Sequence, residues 1–165
     1  MNTYNRLFGS GPAGLAISIA LLFPARYLKN LLNIPDIFTG QRMLRWTIFI
    51  VLSIVTIIIF AASNKALGIK TRGKILITTG VFKYFRHPLY AAFLTFFDFG
   101  LAILLNNWVF IAWALLLHPI WHIVVSGEER MMKEVFPGEY EAYCIRTGRF
   151  FPRITIMKRK ENCLK

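Results

Sequence analysis

The sequence predicts an all-α, polytopic integral membrane protein of about four transmembrane helices followed by cytoplasmic C-terminal helices. Of its 165 residues 56% are hydrophobic, and the mean hydropathy is +0.51. That is more apolar surface than a chain of this size hides in its own interior. The apolar residues gather in long runs, as helices surrounded by lipid require. Lys and Arg, which set a formal net charge of +12, lie between and after those runs. There they read as orientation signals beside anionic lipid. Nucleic-acid binding, the other use of a basic chain, is set aside because the charge flanks apolar spans and does not form a polar domain.

The first run, Gly9 to Phe23, is apolar and rich in small residues, with Arg6 ahead of it. No small-residue cleavage site follows, so it reads as a membrane helix and not a signal peptide. Whether it continues past Pro24 toward Leu32 stays open from sequence, since Arg26 and Lys29 would then have to snorkel. Pro35, Asp36, Thr39 and Gly40 make a loop. Trp46 to Ala62 is the clearest span, long enough at about 1.5 Å per residue to come close to crossing a hydrocarbon core of roughly 30 Å. Its β-branched residues favour strand in water, but length without turn residues decides for helix.

Asn64 to Arg86 is a polar connection carrying Lys65, Lys70, Arg72, Lys74, Lys83 and Arg86. Interleaved Ile69, Ile75, Leu76, Ile77, Val81 and Phe82 lay it against the membrane interface. Leu89 to Leu105 and Trp108 to Val125 form an antiparallel hairpin about Asn106-Asn107. Ser126 to Phe136 continues as an amphipathic helix. Pro137-Gly138 breaks it, and Glu139 to Ile145 forms one more short helix. The end, Lys158-Arg159-Lys160, reads as a solvated tail. The chain divides into N-terminal transmembrane helices, 1–63, and a second region, 64–165, that holds the cytoplasmic connection, the helical hairpin, the C-terminal helices and the basic tail. The positive-inside rule makes the Asn64 to Arg86 connection and the C-terminal section cytoplasmic. Arg42 and Arg45 then fall on the opposite side if the first segment spans.

Two polar clusters stand at membrane ends of this layout. Arg86-His87-Pro88 enters the third span and Gly127-Glu128-Glu129-Arg130 follows the fourth, so the hairpin brings both to one membrane face. Pro88 suits a first helical turn, where the N–H it lacks has no partner in any case. Arg86 and His87 are read either as interfacial residues on lipid phosphates or as part of an anion-binding helix N-terminus. Adjacent Glu128 and Glu129 point about 100° apart on a helix. They are read either as a solvated face, with Glu129 paired to Lys133, or as a site for a cationic amine or sulfonium. Asp98, inside the third span, is expected to make a buried polar contact with a facing helix. His118 and His122 lie at metal-ligand spacing but lack an obvious third ligand on their helix, so no metal is expected. His122 is read as capping the helix or lining the cavity. Cys144 and Cys163 suggest neither a disulfide framework nor a metal site, and Cys163 is misplaced for a prenylation box.

GVFKYFRHPLY from Gly80, the hairpin, and GEERMMKEVFPGEYEAYCIRTGRFFP ending at Pro152 together resemble the C-terminal half of the isoprenylcysteine carboxyl methyltransferase family and its prokaryotic relatives. The resemblance runs from about Leu76 to Pro152. It implies an integral-membrane enzyme using S-adenosylmethionine in a cytoplasm-facing pocket. It further implies cofactor contacts for His87, Pro88 through its backbone, Tyr90 and Glu129, with Glu128, Tyr140, Tyr143 and Arg149 closing the pocket or holding substrate.

The acceptor implied is lipophilic, with carboxylate, amine and thiol all open. A carboxylate needs no base and would suit Arg149, whereas an amine or thiol must lose a proton, for which Glu128 could serve. Two rival readings are a sterol-type reductase with a nicotinamide cofactor, which shares an R-H-P-x-Y-like entry, and a non-catalytic four-helix membrane protein. The Glu pair followed by Thr147-Gly148-Arg149 favours the methyltransferases.

Overall fold

Among the described residues, four helices long and apolar enough to cross a membrane dominate the computed structural model: α1 Gly11–Leu32, α2 Arg42–Leu67, α3 Pro88–Leu105 and α4 Trp108–Val135. A single 3₁₀ turn, Gly80–Lys83, precedes α3, and α5, Glu139–Arg146, follows α4. The structure describes residues 9–68 and 74–153. Arg6, Ile69, Lys70, Arg72, the Lys158-Arg159-Lys160 tail and Cys163 lie outside the described residues.

α1 runs unbroken through Pro24 to Asn33, whose left-handed backbone (φ 48°) ends it. In lipid the chain gains nothing by leaving a helix at one missing backbone bond, because no water is there to take the freed groups. α1 is thus long and apolar enough to cross a membrane by itself. α2 starts at the end opposite the polar clusters, and Arg45 Nη1 donates to the Leu104 carbonyl at 3.1 Å. α2 extends about a turn beyond its apolar run at each end, with Arg42 and Lys65 in its first and last turns.

That far end is tied by asparagines. Asn106 takes the left-handed conformation (φ 58°) that lets the α3–α4 connection reverse tightly, a geometry Asn adopts more readily than most residues. Its side chain accepts from Phe38 N at 2.9 Å and donates to Phe38 O at 3.0 Å. Asn107 caps α4 by accepting from Val109 N at 3.1 Å and donates to Ile34 O at 2.7 Å. Each connection thereby satisfies the backbone groups of the other, as a lipid boundary demands.

α3 is not a plain α-helix. Phe93–Phe97 forms a π-turn, with Asp98 N donating to Phe93 O, and the Thr56 hydroxyl of α2 reaches the Ala92 carbonyl just before it at 3.4 Å. Beyond the bulge Asp98 is buried, but the expected polar contact with a facing helix is absent: among the described residues no hydrogen bond or ion pair reaches its carboxylate. α4 merges the fourth span and its amphipathic extension into one helix.

The bundle closes by laying α1 on α4. Trp113 Nε1 donates to the Ser18 carbonyl at 3.2 Å and Trp121 Nε1 to the Ser18 hydroxyl at 3.0 Å. One turn earlier Gly14 lies flat against the Trp121 ring, and a methyl there would enter it. Small residues at such a contact let backbones approach in lipid, where packing and hydrogen bonds replace the hydrophobic effect. Gly14→Val should therefore lower stability by about 1–3 kcal/mol, the usual penalty for overpacking, read as a drop in thermal midpoint in detergent. An unchanged midpoint would contradict the packing described.

Candidate active site

The site begins where the chain re-enters the membrane. Arg86 N donates to Gly148 O at 2.8 Å and His87 N to Arg149 O at 3.2 Å, so a C-terminal strap, residues 147–151, pairs with the segment leading into α3. Gly148 has no space for a side chain, because a Cβ would strike the Phe151 carbonyl. Tyr143 of α5 secures the same segment, donating to Phe82 O at 2.5 Å and Phe85 O at 3.3 Å. Burial holds the Tyr143 and Tyr140 phenols above their ordinary range, so both stay neutral donors.

Glu129, at the same end of α4, is only 6% exposed. Arg149 grips it as a fork, with Nε on Oε1 at 3.1 Å and Nη2 on Oε2. Arg86 Nε lies 3.1 Å and His87 Nε2 3.3 Å from the same Oε1. With two guanidinium groups and an imidazole against it, this buried carboxylate is compensated and held from two directions. Arg149 Nη1 also donates to the ring nitrogen Nδ1 of His122 at 2.9 Å and to its carbonyl at 3.0 Å. Glu129 therefore faces inward, not along α4 as the sequence pairing with Lys133 would have it.

Glu128 meets the other side of the imidazole. Its Oε2 lies 3.6 Å from His87 Nδ1, while Oε1 accepts from the Tyr90 hydroxyl at 2.9 Å and from both the hydroxyl (2.6 Å) and backbone N–H of Ser10. His87 thus sits between two carboxylates, one facing each ring nitrogen. Rings fill the remaining space. Tyr90 stacks on His87 with centroids 5.6 Å apart, Tyr90 meets Trp121 at 4.9 Å, and Phe150 approaches His87 at 6.3 Å and His122 at 4.8 Å.

Of the residues singled out by sequence, His87, Tyr90, Glu128, Glu129 and Arg149 converge directly. Pro88 is buried at the first position of α3, and Tyr140 packs behind, in an apolar cluster with Tyr143 and Cys144. His118, one turn before His122, stacks on Phe151 of the strap at 5.3 Å. Sequence reasoning did not single out Ser10 or Phe150. A Ser-Gly-Pro helix start was visible, but nothing local says that a carboxylate 118 residues away would meet it.

A protein-family model for phospholipid methyltransferases matches residues 37–139, more than half of the chain. The chain belongs to the phospholipid methyltransferase family. This agrees with the methyltransferase resemblance of the sequence and makes the protein a membrane methyltransferase. No curated protein and no solved structure matches it. The match spans α2, α3 and α4. In this methyltransferase, α1 and the strap bearing Arg149 lie outside it, and both nevertheless contribute side chains to the cluster.

Because the Tyr143 hydroxyl is spent on two backbone carbonyls, Tyr143→Phe should leave those acceptors short of a donor and lower stability by about 1 kcal/mol. Thermal unfolding measures this directly, and no loss would show that the segment before α3 is held by other bonds.

Proposed function

We propose that the protein transfers a methyl group from S-adenosylmethionine to a lipophilic acceptor at the His87–Glu128–Glu129–Arg149 cluster. The observation that carries this reading is the convergence of both carboxylates on one imidazole at the head of a membrane helix, with Arg86 and Arg149 beside it. The methionine end of the donor carries a carboxylate, an ammonium and a sulfonium. The cluster offers the guanidinium and carboxylate groups that match them, and Tyr90 and Phe150 supply ring surface. His87, Pro88, Tyr90, Glu129, Tyr140 and Tyr143 are the residues proposed to bind or enclose it.

When bound, the donor supplies a methyl activated by the adjacent sulfonium. The protein's part is then mainly to hold nucleophile and methyl carbon close and in line, which can account for a large share of the rate. Arg149 already grips Glu129 through two nitrogens and His122 through the third, so a carboxylate acceptor would have to displace Glu129 from its fork. The Glu128 carboxylate, by contrast, lies outside the Arg149–Glu129 fork, so a proton delivered to it leaves that fork intact. This favours an acceptor that must lose a proton before attack, such as a lipid amine or a thiol. Glu128 accepts that proton directly or through His87, and Arg149 holds the strap closed. A carboxylate acceptor on Arg149, as the isoprenylcysteine resemblance implies, is the second reading.

The cluster end also holds Lys65, Lys74, Lys83, Arg130, Lys133 and Arg146, against Arg26, Lys29, Arg42 and Arg45 toward the other end. By the positive-inside rule we place the site and the C-terminal section in the cytoplasm. A water-soluble donor would enter from there and a lipid acceptor sideways from the bilayer.

Calorimetry on the purified chain should show binding of S-adenosylmethionine and none of NADPH. Glu129→Gln and His87→Ala should each weaken donor binding about tenfold or more, the scale of a lost charged hydrogen bond. Binding of NADPH alone, or unchanged donor affinity in both variants, would overturn the reading. Methyl-labelled donor incubated with the protein and a membrane lipid extract should then label a species bearing an amine or thiol.

A further inference from the structure

The head of α1 lies outside the family-matched residues 37–139, yet it supplies two of the three donors on Glu128 Oε1, the third being the Tyr90 hydroxyl. With Oε1 so occupied, Oε2 is left turned toward His87 Nδ1 at 3.6 Å. We propose that Ser10 is a positioning residue for methyl transfer: its hydroxyl and backbone N–H fix Glu128 so that its second oxygen faces His87. This rests on the methyltransferase reading above and adds to it a residue from the first helix.

Independent features of α1 support this role. Gly9 and Gly11 flank Ser10. A Cβ at Gly9 would overlap the Glu128 carboxylate, and one at Gly11 would come within 3.3 Å of the Tyr90 ring and hydroxyl. Gly9 is also in the left-handed region at φ 58°, where a side chain is strained. The chain is pared down on either side of Ser10 where Glu128 and Tyr90 approach. The first backbone N–H groups of a helix have no intrahelical partners and carry the positive end of its dipole, so an anion is favoured there. One and two turns further in, Gly14 against Trp121 and Ser18 beneath Trp113 and Trp121 fix the helix on α4, so the place of Ser10 is set by packing deeper in the bundle as well as by its own bonds to Glu128. A glutamate on the surface of a helix otherwise keeps its rotamer freedom. Tyr90 alone, from α3, would constrain it from one direction only.

Arg86 and Arg149 bear on Glu129 and not on Glu128, so the effect of Ser10 runs through Glu128 to His87. The test is a double-substitution cycle on the full chain, with turnover, donor affinity and thermal midpoint measured for each form. Ser10→Ala should lower kcat about tenfold, a part of the roughly hundredfold or more that a positioned acid–base group contributes. Donor affinity and midpoint should hold, and Ser10→Thr should retain most of kcat. In a Glu128→Gln background Ser10→Ala should produce no further loss, because the group it positions is already disabled. The same fold-loss in both backgrounds, or wild-type turnover by Ser10→Ala, would overturn the inference. Absence of methyl transfer by the unsubstituted chain would end the proposed function and this inference together, whereas transfer with additive losses would end this inference alone.

Discussion

The Glu129 carboxylate is the constraint on which the rest of the structure depends. A charge with so little exposure is tolerated near a membrane only if it is matched on every side. Its partners come from the segment before α3, from that helix's own N-cap position at His87, and from the C-terminal strap. Neutralising one carboxylate therefore draws together parts of the chain that lie up to 63 positions apart in number, between Arg86 and Arg149, and fixes the strap over the end of the hairpin. The backbone pairing of Arg86 and His87 with Gly148 and Arg149 follows the same alignment.

The membrane-spanning layout makes that convergence possible. The asparagine-tied connections at one end force two antiparallel pairs of helices to stand side by side, so the head of α1, the tail of α2, the head of α3 and the tail of α4 emerge together. Ser18 and Gly14, beneath the two α4 tryptophans, then set how far α1 reaches toward the cluster. Remote packing inside the bilayer thus becomes side-chain geometry at its surface. Small shifts in helix packing would be felt at Glu128, which α1 holds, before they were felt at Glu129, which two arginines hold.

Much of this was legible in the sequence because apolar length and turn chemistry are local. The second, third and fourth spans, the Asn106-Asn107 reversal and the Pro137-Gly138 break are readable from composition alone, and the R-H-P entry with the Glu pair and Thr-Gly-Arg marks the cluster. Continuity through Pro24 was not legible, since water and lipid give opposite answers for a proline in a helix. Nor was the π-turn ahead of Asp98, which carries no residue signature, or the direction of Glu129, since either face of α4 offers it a cation. Ser10 was invisible for a different reason: its partner is set by tertiary packing, and the family match stops short of it.

The central claim is that His87 and Glu129 meet across the hairpin. Its most direct test is cross-linking in native membranes, with Cys144 and Cys163 replaced by Ser, His87→Cys and Glu129→Cys introduced, and a short bifunctional thiosulfonate added. The structure requires an efficient intramolecular bridge that ties the two halves of a chain cleaved between α3 and α4. Failure to bridge this pair, with both thiols shown to react singly with the reagent, would contradict it.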